Sequence, residues 1–319
     1  KEDGFMGGAN DIAVDSNDNI IVTGYIKTEG SHYYTIKYSP DKQILWESGG
    51  GDRLGPIYNL NKDTYYNAIQ SAINDASDGD TIFVYNGTYY ENVVVNKSIS
   101  LIGEDRNTTI IYGSGIGNVV EITANDVTIQ GFTIRISGGD WSDAGVKICA
   151  NNNSIYNCNL NNNRFSVWLN YYSYNNSIYN CNISNNDYGI YVQYSNDNSI
   201  HNCNISNNDY GIYVHYSNDN SIHNCNISNN GRIGFDGSHD NFIYNCNISN
   251  NDYSIGLWNS YDNFIYNCNI GNNNLDGIEL YSSYNNSIYN CNISNNRNRG
   301  IRLYSSSSNN ITKNLIEDN

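Results

Sequence analysis

Residues 177–198 read SIYNCNISNNDYGIYVQYSNDN, and residues 199–220 follow at once with SIHNCNISNNDYGIYVHYSNDN. Two nearly identical blocks 22 residues apart mean that one structural unit is being copied. The register is carried by Cys158, Cys181, Cys203, Cys225, Cys246, Cys268 and Cys291, separated by 23, 22, 22, 21, 22 and 23 residues. A period that varies by one residue excludes a coiled coil and suits a solenoid whose turns absorb single insertions. Within one block Cys181 and Ile183 alternate with Asn182, and Ile190 and Val192 alternate with Tyr191, the period of two of a strand. Asn185-Asn186 and the SNDN of residues 195–198 lie between, residue types that tolerate left-handed backbone and bond their own main chain in turns. Such coils of short strands and turns stack, with strands about 4.8 Å apart, into a parallel β-helix. The fold class is therefore all-β, a right-handed parallel β-helix with coils of about 22 residues.

Aligning the coils on the cysteine sorts the remaining positions. Val146, Val167, Ile190, Ile212, Ile233, Ile255, Ile278 and Ile301 form one inward column, and Ile148, Leu169, Val192, Val214, Phe235, Leu257, Leu280 and Leu303 form its partner. Between them Lys147, Trp168, Tyr191, Tyr213, Gly234, Gly256, Glu279 and Arg302 are expected to face solvent. Ahead of the coils, residues 1–50 hold two alternating segments that resemble one blade of a β-propeller of the surface-protein type. One blade cannot bury its own faces, so the chain is expected to be a fragment of a longer protein, or the blade to dock on the solenoid. Residues 51–63 read as a linker. The β-helix is placed at 64–319 with an N-terminal cap at 64–97, in which Thr64 caps a short helix and Ala68, Ile69, Ala72 and Ile73 share its apolar face. That helix covers the open end of the solenoid, and the end after Asn314 shows no cap. End-to-end association of chains through this end is the corresponding expectation.

The block NNSIYNCNISNN followed by GIYV resembles the right-handed β-helix repeats of NosD-like and pectin-lyase-like surface proteins, from Ser98 to the end of the chain. In that family asparagine usually holds the cysteine position, and Asn314 in ITKNLI has that form. The resemblance implies the fold; it does not choose among lyases, hydrolases, epimerases, adhesins and envelope proteins, all of which use such coils.

The net charge of -16 and the lack of a basic patch exclude nucleic acid as a partner. No run of 18 or more apolar residues is present, so no membrane span is expected. The chain begins at Lys1 with no signal peptide, as a processed or excised segment would. An extracellular or cell-surface location is the expectation, and it makes the twelve N-x-S/T sequons candidates for glycosylation. They are Asn86, Asn96, Asn107, Asn152, Asn175, Asn182, Asn204, Asn226, Asn247, Asn285, Asn292 and Asn310. Stacked cysteines have Cα atoms close enough to bridge, but in-register side chains point the same way and fit the S–S dihedral badly, so the ladder is read as reduced, buried filler.

Lyases of this fold need acidic residues for calcium beside a basic arginine or lysine, and hydrolases need paired carboxylates. No double Asp, GHG or DPH motif occurs. The candidate catalytic set is Arg135, Asp140, Asp143 and Lys147, around the irregular excursion of residues 137–143. Solvated turn charges are the plainer explanation of the same residues. Asp197, Asp219, Asp240 and Asp262 recur in one turn, where stacked like charges could take up calcium or simply serve the turn backbone. Tyr156, Tyr179, His201, His223, Tyr244, Tyr266 and Tyr289 form a row on which sugar rings could stack, or which stabilises the outside of the helix. No cofactor is required beyond calcium as a candidate. The reading favoured is a non-catalytic structural, adhesive or carbohydrate-binding envelope module, with carbohydrate or cell-envelope components as partners; the competing one is a lyase or glycoside hydrolase acting on acidic polysaccharide.

Overall fold

The computed structural model describes residues 6–15, 19–28, 30–38, 44–49 and 56–319. From Thr81 onward the chain winds through about eleven turns, each of which lays one strand in each of three parallel sheets. One turn runs Ser177–Tyr179 in the first sheet, Asn182–Ser184 in the second and Tyr188–Gln193 in the third. The next turn repeats it in register, with Ile178 against Ile200, Ile183 against Ile205 and Ile190 against Ile212. Both inward columns are buried from Val146 to Leu280. Ile301 and Leu303 sit in the last turn of the third sheet, paired on one side only, and Leu303 is exposed.

The abundance of asparagine has a backbone cause. Each regular turn has four left-handed residues, for example Asn180, Asn185, Tyr194 and Asp197, with φ of 54°, 58°, 48° and 57°. Asparagine and aspartate adopt this region more readily than other side chains. A second set of asparagines points inward. Asn186, Asn208, Asn230, Asn251 and Asn273 are buried, and each accepts the backbone N–H of the preceding turn at its amide oxygen, which in all but Asn186 also accepts that turn's side-chain NH2. Asn176, Asn198, Asn220 and Asn241 form a parallel ladder at another corner. These amides satisfy the turn backbone that the solenoid buries.

The seven ladder cysteines are buried, and among the described residues all eight thiols are free. Cys181 Sγ donates to the Tyr179 carbonyl at 3.3 Å, and burial beside neighbouring thiols pushes its pKa well up. Asn314, at the same position, accepts the Cys291 N–H and donates to the Ile288 carbonyl, both at 2.9 Å. Cysteine thus fills the asparagine site with a small side chain and a weak donor. Thiol titration of the native protein is expected to label Cys149 alone, and titration in denaturant all eight. Labelling of several ladder cysteines without denaturant would overturn this packing.

The N-terminal region departs from the sequence reading in detail. Strands Met6–Val14, Ile20–Thr28, Gly30–Tyr38 and Ile44–Gly49 pair antiparallel in simple order over the stretch read as a blade. Of the stretch read as a linker, residues 51–55 lie outside the described residues, and Ile57–Asn59 is a strand that pairs with Thr64–Tyr66 and Thr81–Val84. Thr64 therefore begins a strand and does not cap the helix. The helix is Ile69–Asp75, with Ile69, Ala72 and Ile73 buried as expected. Its first N–H groups, on Ile69 and Gln70, bond the Glu91 carboxylate at 2.8 and 3.0 Å. A cap supplied from 21 or 22 residues away leaves no local signature.

Candidate glycan-binding face

The largest difference from the sequence reading is on the outside of the third sheet. Trp168 and Tyr191, expected in solvent, are 6% and 4% exposed. They point away from the lumen, yet each turn adds another aromatic side chain that covers the last. Phe165 stacks on Tyr188 at 4.8 Å and Tyr188 on Tyr210 at 4.5 Å; beside them Tyr191 stacks on Trp168 at 6.1 Å and on Tyr213 at 5.6 Å. Burial pushes the phenols of Tyr191 and Tyr213 upward. The strip begins at Trp141, which packs edge-on against Phe165 and Tyr188 at 5.5 and 5.9 Å. It ends at Trp258, and five turn spacings between these ends make it about 24 Å long.

Glycine makes room for Trp258. A Cβ on Gly256 would stand 2.2 Å from Cη2 of the indole, and one on Gly234 would stand 2.9 Å from Cζ3. The ring therefore covers two positions that have no side chain. Cations accompany the strip: Lys147 Nζ lies 4.6 Å from the Trp168 ring centre, and the Arg164 guanidinium 5.2 Å from that of Trp141. Arg232 stands among three rings, 4.5 Å from Tyr253, 5.3 Å from Trp258 and 5.6 Å from Tyr210. At the rim, His215 lies 3.9 Å from the Asp236 carboxylate, and burial holds the imidazole pKa below its usual value.

The residues proposed for catalysis do not form a cluster. Arg135 ends a strand of the second sheet over the Tyr112 ring, while Lys147 lies in the third sheet over Trp168. Asp143 is buried; its carboxylate accepts the Asp140 N–H at 3.1 Å and the Ser142 hydroxyl at 3.3 Å, and Asp140 is exposed. The excursion is thus stapled by Asp143, and it delivers Trp141 to the strip. Asp143→Ala is expected to lower stability by about 1–3 kcal/mol, because two donors lose a charged acceptor. Asp140→Ala is expected to stay within about 0.5 kcal/mol of the parent. Denaturant unfolding of the two variants checks this.

The aspartate column is in place: Asp197, Asp219, Asp240 and Asp262 succeed one another turn by turn at φ of 57°, 55°, 55° and 54°. The same column continues as Asn175 and Asn285, also left-handed, so backbone geometry explains the residue choice. Burial, then the neighbouring Asp197 and Asp240, push the Asp219 pKa up. Among the described residues no three His, Cys, Asp or Glu side chains come close enough together to hold a metal ion. The aromatic row of the first sheet is continuous, with neighbouring rings 4.7–5.0 Å apart and nearly parallel from Tyr156 to Tyr289. Each ring face meets the next ring, so only edges reach solvent. Sugar stacking needs faces.

The sequons fall on two kinds of position. Asn182, Asn204, Asn226, Asn247 and Asn292 form an outward ladder on the second sheet, and the side-chain NH2 of Asn182, Asn204, Asn247 and Asn292 bonds the asparagine amide oxygen one turn before, as in Asn204 to Asn182 at 3.2 Å. Asn152, Asn175 and Asn285 are left-handed turn residues. Asn96, Asn107 and Asn310 are exposed, and Asn86 is half-buried.

Three stacked parallel sheets with a lumen of aliphatic columns define a parallel β-helix of the pectin-lyase-like kind. The chain belongs to the right-handed β-helix family, whose family model, described as a right handed beta helix region, matches residues 110–239 and 232–319. A cell surface glycoprotein of Methanothermus fervidus is 38% identical over 106 residues, 32% of this chain and 17% of that protein. The chain thus matches only a small part of that relative's length. Among solved structures, the Dettilon tailspike protein aligns with a TM-score of 0.62 at 14% identity over 73% of this chain and 55% of its own. The polygalacturonase of Erwinia carotovora aligns at 0.58 and 13% identity over 76% of this chain and 91% of its own. At these identities the likeness concerns the fold.

Proposed function

We propose that this chain is a stiff cell-surface module whose third sheet binds carbohydrate without transforming it. The observation that carries the reading is the aromatic strip from Trp141 to Trp258, with an indole laid over glycines and cations set among the rings. The inner rings of the strip cover one another, and the exposed ring surface at its ends, Trp141 and Tyr253 with Arg164 and Arg232 beside them, suits the apolar faces and hydroxyl edges of a sugar chain. The relative described as a cell surface glycoprotein supports an extracellular setting, and among the described residues no helix is long and apolar enough to cross a membrane. In such a setting some sequons would carry glycans. Calcium held on the aspartate column by neighbouring carboxylates and water belongs to the same proposal.

A lyase or hydrolase is the second reading, favoured by one feature: Asp209 and Asp252 line the same surface pocket. The deciding experiment incubates the protein with acidic and neutral polysaccharides, with and without calcium, and follows both retention and released reducing or unsaturated ends. Retention without release is the expected result. Release of defined oligosaccharides would replace the proposal with the enzyme reading, and failure to retain any polysaccharide would sink the binding role.

A further inference from the structure

The row of rings on the first sheet has no part in the strip on the third, and the face on which it stands is unlike the rest of the surface. Nine successive strands, from Thr128–Gln130 to Asn310–Thr312, build that face. Each turns its middle isoleucine inward and its first and third side chains outward. The outward side chains are hydroxyls, amides and rings, with no Asp, Glu, Lys or Arg among them, on a chain whose net charge is -16. Eight turn spacings make the face about 38 Å long. Stacking already fixes its rings at 4.7–5.0 Å from one another, so little side-chain freedom is left to lose on contact.

The two edges of the face differ in charge. The corner that leads into these strands carries the aspartate column, in which Asp197 and Asp219 are exposed. The corner that leads out of them carries exposed Asn180, Asn202 and Asn224 at the corresponding turns. Arg106 reaches this second corner from an earlier turn: its guanidinium donates to the Asn180 carbonyl at 3.2 Å, beside a hollow of about 320 Å³ that Asn202 also lines. Among the described residues Arg106 makes no ion pair.

We propose that two copies of this chain pair through their first sheets, about a two-fold axis that runs between the faces and parallel to the solenoids. That axis keeps the turns level and exchanges the edges, so the amide edge of each copy, with Arg106, lies against the aspartate edge of the other. Arg106 stands level with the turn of Tyr179, and Asp197 opens the next turn, an offset of about 4.8 Å that an arginine side chain spans. A two-fold axis across the solenoids would instead set one aspartate column against the other, where like charges repel. A charged partner finds nothing to pair with on the face itself. A second copy shares the net charge of -16 but brings none of it into the centre of the contact. At physiological ionic strength the Debye length is about 8 Å, so charges elsewhere on the two chains are largely screened from each other. With its corners the face is about 15 Å wide, roughly 570 Å² per copy, which is short of the ~800 Å² of a standard interface and makes the dimer a reversible one. The pairing leaves the third sheet free and does not rest on glycan binding.

The test is sedimentation equilibrium of the full chain, made in a host that adds no glycans, at pH 8, where imidazoles are neutral. A chelator keeps divalent cations off the aspartate column. A monomer–dimer equilibrium with a Kd of about 10–500 µM is expected. Ser199→Lys, on the face, should weaken it more than about 100-fold, because the two-fold axis brings the new charges together. Ser206→Lys, an outward serine of the second sheet, should leave it unchanged, and circular dichroism checks that both variants fold. Arg106→Asp should weaken the dimer about 10-fold, and adding Asp197→Arg to it should restore the parent affinity. A chain that stays monomeric to about 1 mM, or equal effects of the two lysine substitutions, would overturn the pairing. Failure of the charge exchange to restore it would overturn the two-fold arrangement.

Discussion

Asn208→Ala is expected to destabilise the solenoid by about 3–5 kcal/mol, the sum of two orphaned donors and the lost donations. Asn208 is 3% exposed. Its amide oxygen accepts the Asn186 N–H at 3.0 Å and the Asn186 side-chain NH2 at 2.9 Å. Its own NH2 donates to the carbonyls of Ile183 and Ser206 and to Asn230 Oδ1 at 2.9 Å. Alanine removes all five bonds and leaves no room for an equivalent partner, because the turns above and below are held in register by the same ladder. Asn204→Ala is the matching control. That side chain is exposed and donates one bond, so a change within about 0.5 kcal/mol is expected. Chemical denaturation measures the difference, and amide exchange should localise the Asn208 effect to neighbouring turns, as expected where each repeat touches only its neighbours. Equal effects of the two substitutions would mean that the inner ladder does not hold the turns.

Asn204 and Asn208 also mark what the sequence could and could not tell. The period, the cysteine register and the aliphatic columns are local and repeated, so the architecture was legible from residues such as Ile190 and Val192. Trp168 and Tyr191 were misread because alternation tells which side of a strand a residue faces, and not what covers that side. Their cover comes from Phe165, Tyr188 and Tyr213, residues on their own and neighbouring turns. A signal was present: the outer column changes from aromatic to Gly234 and Gly256 where Trp258 appears in the next column, as though one large ring replaced two. The Arg135 to Lys147 set drew attention because the charges are close in sequence; a turn then sends them to different sheets. Arg232 lacked any such clustering, and only the stacking of turns puts Tyr210 and Tyr253 on either side of it.

On protein from a host that glycosylates sequons, Asn204 should carry no glycan in any molecule whose Asn182 or Asn226 carries one. The three stand directly in line on the second sheet, about 4.8 Å from turn to turn. The nitrogen that would bear the sugar on Asn204 is 3.2 Å from the amide oxygen of Asn182. A first sugar with its hydration is wider than one turn spacing, and two such sugars on a rigid face cannot splay far enough to coexist. Trypsin makes the test direct. No Lys or Arg lies between Arg164 and Arg232, so a single peptide of residues 165–232 retains Asn175, Asn182, Asn204 and Asn226 together. Its intact mass should show at most two of the three in-line sites occupied, and fragmentation should assign such pairs to Asn182 with Asn226. A peptide with all three occupied would refute the exclusion. The placement also bears on binding, since glycans on the second sheet would project from a different side of the solenoid than the strip on the third. Under the proposed binding role, enzymatic removal of the glycans should therefore leave retention of polysaccharide unchanged.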